Sequence, residues 1–331
     1  MKLLGNLDCE ARWAGAALPV PVQRRISLYA TLLAAIAPDG DRPEIWVPAE
    51  VDPARLVAHP RWSPPVVRAP APADPPPGAF QLAWADPAAA AANDRSRALA
   101  IAGELGVALP GARVVASLAE LEAHISARFA GLAGRPWICK ARWTAAGRDR
   151  ARGTGDALTG ELRTRIARML ERFGPLVFEP WLDRVVDLGV CGEVAADGEV
   201  RLLEPHRIAT DPRGGFLGIE LSPRLAPGVA EPLCAVARAA AARLAAQTGY
   251  RGRFAIDAFV YRDPWRDSRH SDEAAGALHP LCEINARHSF GWIAHALARR
   301  LGTRRLGFDA PPPGATVLIA PGPDRVTAWC A

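Results

Sequence analysis

A chain of 331 residues, 50% apolar and 23% charged, is long enough for two or three units with cores of their own and too rich in apolar residues to be disordered or fibrous. Forty Lys and Arg against 35 Asp and Glu leave a mild positive excess, and a pI near 9.1 together with the arginines of 148–152 keeps nucleic-acid binding as the weaker, non-enzymatic alternative. All but two of the basic residues are arginine, a pattern that a GC-rich genome also produces, which isolates Lys140 as the lysine of the interior.

In chain order, residues 1–70 read as a small α/β unit, with a short apolar start, a helix over about 22–36 and a strand at 44–48. The proline-dense 70–77 is an extended connector, followed by a strand candidate at 79–84. A helix over about 94–105 stops at Gly106, and a second over 117–129 opens on the capping box Ser117 and Glu120. The strand 135–140 ends in Lys140 and runs into a Gly- and Arg-rich loop, 141–155, whose backbone N–H groups and cations suit a polyphosphate as well as they suit solvent. A helix at about 159–172 leads to an apolar strand from 175 that breaks at Pro180, a hinge carrying Glu179. A strand at 187–194, a turn at Asp197-Gly198 and a second run at 201–207 form a hairpin. After the loop 211–216, an Ala-rich helix over 229–248 ends at Gly249, and strands at 253–261 and 279–286 flank a charged loop, 262–278, in which His270, Asp272 and the neighbouring His279 read as solvated.

Alternation along the last strand sets Glu283 and Asn285 on one face and Cys282 and Ile284 on the other. If the two strands pair as antiparallel neighbours, Asp257 comes beside them, and two carboxylates with an amide oxygen suit Mg²⁺ held against phosphates. Two solvated strand faces explain the same spacing equally well. The six cysteines are scattered without CxxC pairs, so neither a zinc motif nor a disulfide framework is implied. The start is too short for a signal peptide and no apolar run approaches a membrane span, which sets a cytoplasmic expectation with no membrane partner.

Over about 90–300, the order of Lys140, the Gly-rich loop, Phe178-Glu179-Pro180-Trp181-Leu182, Asp187, Gly252-Arg253-Phe254-Ala255-Ile256-Asp257 and Glu283-Ile284-Asn285-Ala286-Arg287 resembles the ATP-grasp superfamily of the carboxylate–amine ligase type. The resemblance implies an α/β (α+β) ATP-grasp fold, with an N-terminal α/β domain over 1–92, a lid subdomain over 93–182 and a C-terminal subdomain with the metal site over 183–331. It assigns Lys140 to the phosphates of ATP under a lid formed by 145–155, Glu179, Trp181 and Leu182 to adenine, and Asp187 to the ribose. It further assigns Asp257, Glu283 and Asn285 to Mg²⁺, with Mn²⁺ as a substitute, and Arg253 and Arg287 to the transferred phosphate or substrate carboxylate. Arg95 and Arg97 stand where the family carries a further phosphate-binding lysine, and Asp187 replaces the commoner glutamate.

The implied activity is an ATP-dependent ligase that activates a carboxylate as an acyl phosphate and joins it to an amine. Such chemistry runs on charge neutralisation and alignment, so no Ser-His-Asp or Cys-His arrangement is needed and none is found. His206, Arg207 and Arg213 are the substrate-site candidates, the arginines as carboxylate clamps and the histidine as a proton acceptor; surface ion pairs and a core histidine are the plainer readings. The partners expected are a small-molecule or peptide carboxylate and an amine acceptor, with homodimerisation open. A phosphotransferase or a ligase handing the acyl group to a non-amine is the alternative on the same fold.

Overall fold

The computed structural model describes all residues except 39–41, 74, 77, 130–134, 144–148, 212–213 and 263–275. The N-terminal elements are β1 (Lys2–Leu4), α1 (Cys9–Trp13), α2 (Val20–Ala30), β2 (Glu44–Trp46), β3 (Val66–Arg68) and β4 (Leu82–Ala83). The strands form a parallel sheet in the order β3-β2-β1-β4. Gly5 follows β1 because a Cβ there would come within 2.7 Å of the Ala30 Cβ, so the close approach of sheet and helix requires its absence. The helix expected to reach residue 36 changes at Thr31 into a 3₁₀ turn, Thr31–Ile36, that buries Leu32 and Leu33.

Next come α3 (Arg95–Glu104), β5 (Arg113–Val115), α4 (Leu118–Phe129), β6 (Pro136–Lys140), β7 (Arg150–Thr154), α5 (Gly160–Phe173) and β8 (Leu176–Pro180). The strands make a small antiparallel sheet, β5-β8-β6-β7. Its core joins Trp137 and Cys139 to Leu121, Ile125, Ile166 and Phe178, so alternation sends Ile138 and Lys140 to the opposite face. At Gly153 a Cβ would stand 2.1 Å from the Trp137 ring, and glycine there lets the indole lie across β7. That strand lies inside the stretch 141–155 expected to be loop throughout; the residues 144–148 lie outside the described residues. The capping box holds, with Ser117 Oγ accepting from Glu120 N at 3.1 Å and Glu120 Oε2 accepting from Ala116 N at 2.9 Å.

The remaining elements are β9 (Asp183–Val194), β10 (Val200–Leu202), β11 (His206–Thr210), β12 (Phe216–Leu221), α6 (Ala230–Thr248), β13 (Gly252–Arg262), β14 (Ala277–Asn285), α7 (Phe290–Leu301), β15 (Arg305–Gly307), β16 (Thr316–Ile319) and β17 (Ala328–Cys330). They form a large antiparallel sheet in the order β14-β13-β9-β11-β12-β15-β17-β16, with β10 also on β9. One face packs on α6 and α3 through Leu188, Val190, Ile256, Ile284, Leu244 and Ile101. The other packs on α7 and the N-terminal elements through Leu221, Ile219, Leu297 and Leu33. The run expected at 201–207 breaks at Glu204-Pro205: β10 and β11 both pair with β9, Leu202 opposite Gly192 and His206 opposite Gly189, so the register slips by one residue between them.

Candidate active site

The small sheet contributes an ion pair. Lys140 closes β6 and Glu179 stands on the neighbouring β8, both on the face turned away from the small core, and Lys140 Nζ meets Glu179 Oε2 at 2.5 Å. Burial alone would depress the lysine and raise the acid; each partner's charge reverses this, holding Lys140 above and Glu179 below its ordinary range, so both are ionised. His279 feels the charges of Glu179, Lys140 and Arg184 from the large sheet. It was expected in a solvated loop; instead it lies in β14, 4% exposed, with its ring 5.0 Å from Phe259, and burial drops its pKa to about 4.

At the hinge, Trp181 donates its backbone N–H to Pro136 O at 2.9 Å and carries the Arg152 guanidinium 3.5 Å above its ring. Leu182 joins Phe259, Tyr261 and Leu109 in a small apolar floor. Across this floor Arg184 lies 4.1 Å from the Phe259 ring, donates to Asp187 Oδ1 at 2.8 Å, and approaches Cys282 Sγ at 3.8 Å. Asp187 Oδ2 also accepts from Thr210 Oγ1 at 3.1 Å. The expectation that Cys282 points away from this side is corrected. Between Asp257↔Glu283 and Phe259↔His279 the register shifts, and this bulge in β14 turns the thiol toward Arg184 and Lys140.

The large sheet contributes a row. Residues directly opposite in antiparallel strands share a face, and the registers align Glu283, Asp257, Gly189, His206 and Leu221 across β14, β13, β9, β11 and β12. Asn285 lies two residues from Glu283, and its Nδ2 donates to Asp257 Oδ2 at 3.2 Å. Burial, together with the nearby Glu283 charge, raises Asp257 to about 7. Two half-buried carboxylates repelling each other beside the buried amide of Asn285 form a donor set that a hard divalent cation fits, since it would relieve both the repulsion and the desolvation of Asp257. Arg95 now supplies the positive charge there, its Nη2 donating to Glu283 Oε1 at 2.9 Å while Nη1 donates to Ala141 O at 2.9 Å. Because Ala141 follows Lys140, this one guanidinium joins the end of β6 to the carboxylate row. Arg97 turns elsewhere, to Ala91 O and Gln247.

Beyond the row, Arg287 and Arg253 flank His288. Arg253 Nη1 lies 3.0 Å from His288 Nε2 and its guanidinium 4.6 Å from the Trp292 ring. Arg287 ion-pairs with Glu10 at 2.6 Å and lies within the field of Glu283 and Asp257. Of the substrate candidates, His206 and Arg207 are not brought to this place. His206 shares the row but is 3% exposed, gripped between Gly189 and Gly291, where a Cβ would come within 2.4 Å and 2.6 Å of its ring; burial lowers it to about 3. It is a neutral core histidine. Arg207, one residue on, falls on the opposite face of the sheet and is exposed, which corrects its assignment as a carboxylate clamp. Arg213 lies outside the described residues.

The fold has solved counterparts. N5-carboxyaminoimidazole synthetase from Staphylococcus aureus complexed with ADP superposes with a TM-score of 0.51, at 12% identity over 87% of this chain and 70% of that one. The chain has the ATP-grasp fold. N5-carboxyaminoimidazole ribonucleotide synthetase from Thermus thermophilus aligns at 20% identity over 75% of this chain and 70% of that one, with a TM-score of 0.48. No protein-family model and no curated protein matches the chain. Within the ATP-grasp frame, Arg184, Cys282, His279 and Glu10 are the neighbours of the site that the motifs do not mark. Arg184 alone left a signal, three residues before Asp187 at the head of an expected strand; a bulge and a contact across 277 residues leave none.

Proposed function

We propose that this ATP-grasp chain is a ligase that uses ATP to activate a carboxylate as an acyl phosphate and joins it to an amine. The observation that carries the reading is the Arg95 link: one guanidinium joins a lysine-bearing strand end to a half-buried pair of carboxylates with an amide. The ADP complex of the Staphylococcus aureus neighbour supports a nucleotide in such a fold.

In this reading Lys140, freed from Glu179, neutralises phosphate charge, Glu179 and the Trp181–Leu182 backbone accept adenine, and Asp187 takes the ribose hydroxyls. Asp257, Glu283 and Asn285 would hold magnesium, which supplies charge neutralisation across the phosphates. Arg95 releases Glu283 and moves to the phosphates, the part the family gives to lysine. A substrate carboxylate oxygen, aligned by Arg287 and Arg253, attacks the γ-phosphorus, and ADP leaves. The amine then attacks the acyl carbon and displaces phosphate, losing one proton to solvent.

ADP release measured over pooled acids and amines tests this directly. Hydroxylamine offered in place of the amine should yield a hydroxamate from the acyl phosphate. Acid-dependent ADP release with a stable phosphorylated product and no hydroxamate would instead identify a phosphotransferase, and no ADP release with any acid would remove the ligase reading.

A further inference from the structure

The N-terminal elements reach the carboxylate row through an acid that stands in no motif. Glu10, in α1, is 6% exposed; its Oε1 accepts from Arg287 Nε at 2.6 Å and its Oε2 from Cys9 Sγ at 3.1 Å. The turn that carries Arg287 is held from the same side. Asn93 Nδ2 donates to Ala286 O at 3.2 Å, His288 N donates to Trp84 O at 2.8 Å, and His288 Nδ1 lies 2.8 Å from Ala83 O. The Trp84 ring lies 5.4 Å from the Arg287 guanidinium, whose Nη1 donates to His288 O at 2.9 Å.

Arg287 stands four residues beyond Glu283, which pairs with Asp257 across the strands, so these two carboxylates and Glu10 compete for one cation. A direct, charge-assisted hydrogen bond in a buried setting decides the competition for Glu10. We propose that Glu10 is a positioning residue that draws Arg287 away from the metal-binding carboxylates and keeps it as a separate cation for the substrate. The inference rests on the ligase reading. Without the Glu10 charge, Arg287 swings to Glu283 and Asp257, where it excludes the divalent ion and is lost to the substrate carboxylate.

The test uses the full chain with Mn²⁺ as probe, its binding in the presence of ADP followed by electron paramagnetic resonance, alongside steady-state turnover. Glu10→Gln should weaken Mn²⁺ roughly tenfold or more and raise KM for the acid similarly, with kcat moving less. Glu10→Asp, which keeps the charge on a shorter reach, should recover part of both and serves as the readout if the glutamine variant does not fold. In an Arg287→Gln background, Glu10→Gln should leave Mn²⁺ affinity unchanged, because the residue through which it acts is gone. Equal Mn²⁺ affinity and KM in wild type and Glu10→Gln, or the same loss without Arg287, overturns the inference alone. A wild-type chain that binds no Mn²⁺ with ADP overturns the ligase reading and this inference with it.

Discussion

The two sheets that Arg95 joins hold their charges in different ways. On the large sheet, Asp257 stands mid-strand in β13 with a paired strand on each side, and strand register alone aligns it with Glu283. On the small sheet, Lys140 and Glu179 stand at strand ends, and each is held by the other's charge. The large sheet's acids are therefore set by backbone hydrogen bonds at a cost in carboxylate repulsion, while the small sheet's charges are set by an ion pair. In the proposed reading, the strand-fixed carboxylates would take the metal and the ion-paired edge would open to the phosphates.

The largest expected effect breaks the strand-fixed pair of carboxylates. Glu283→Ala should keep the fold, by circular dichroism, and lose metal-dependent turnover by about a thousandfold or more, as removal of a transition-state electrostatic group does. Turnover equal to wild type would remove Glu283 from the mechanism. Asp257→Asn should also abolish metal-dependent turnover while raising the metal-free Tm at pH 8, because it removes a buried acid that burial and Glu283 hold at about 7. A lowered Tm in calorimetry would contradict that electrostatic account.

The edge breaks differently. Glu179→Gln leaves Lys140 buried without its counter-charge and should cost about 3 kcal/mol or more in denaturant unfolding, whereas Lys140→Met with Glu179→Leu should restore most of the stability yet bind nucleotide weakly. Equal stability of the single and double variants would show that the pair is not buried in solution.

Smaller still is the response to acid. His206, His279 and His288 are held at about 3, 4 and 4 by burial, below the 6.5 of a free imidazole. Their neutral forms contribute stability that is complete above pH 6.5 and is lost as pH falls toward the folded values, on the order of 2 kcal/mol each at pH 5. Asp257 acts with the opposite sign, gaining a proton in the folded state as pH falls through about 7. Asp8, also raised by burial, acts with Asp257, and His124 and His295, also lowered, act with the other histidines. The histidines outweigh the acids, so the metal-free Tm should drop between pH 7 and 5, and more steeply in Asp257→Asn; a flat profile would contradict the burial of these rings. The smallest effect belongs to Arg207→Ala, exposed on the far face of the sheet, which should leave KM for the acid unchanged.

What could be read from the residues follows the same division. Asp257, Glu283 and Asn285 were legible because period-two alternation and antiparallel pairing determine which residues share a face. Lys140 and Glu179 were legible as strand ends, but their mutual pairing was not, since it depends on neighbours brought from different strands. Arg207 and Cys282 are misassigned for different reasons. Arg207 is adjacent to His206 in one strand and so takes the opposite face by alternation alone, whereas Cys282 stands at a bulge opposite Ala258, an irregularity with no periodic signature. The short strands β15 to β17 and β12 escaped notice because three to six residues give too few alternations to read.

The bulge in β14 sets one of the protein's thiols beside the candidate site. Cys9, Cys139, Cys191 and Cys330 are buried, but Cys282 is only partly covered and lies next to Arg184; burial nevertheless holds its thiol above the ordinary range against the charges of Lys140 and Arg184. A thiol-alkylating reagent applied at alkaline pH, followed by peptide mass mapping, should therefore report whether a ligand shields Cys282 without any engineered label, with Cys234, the other partly open thiol, as an internal reference on α6.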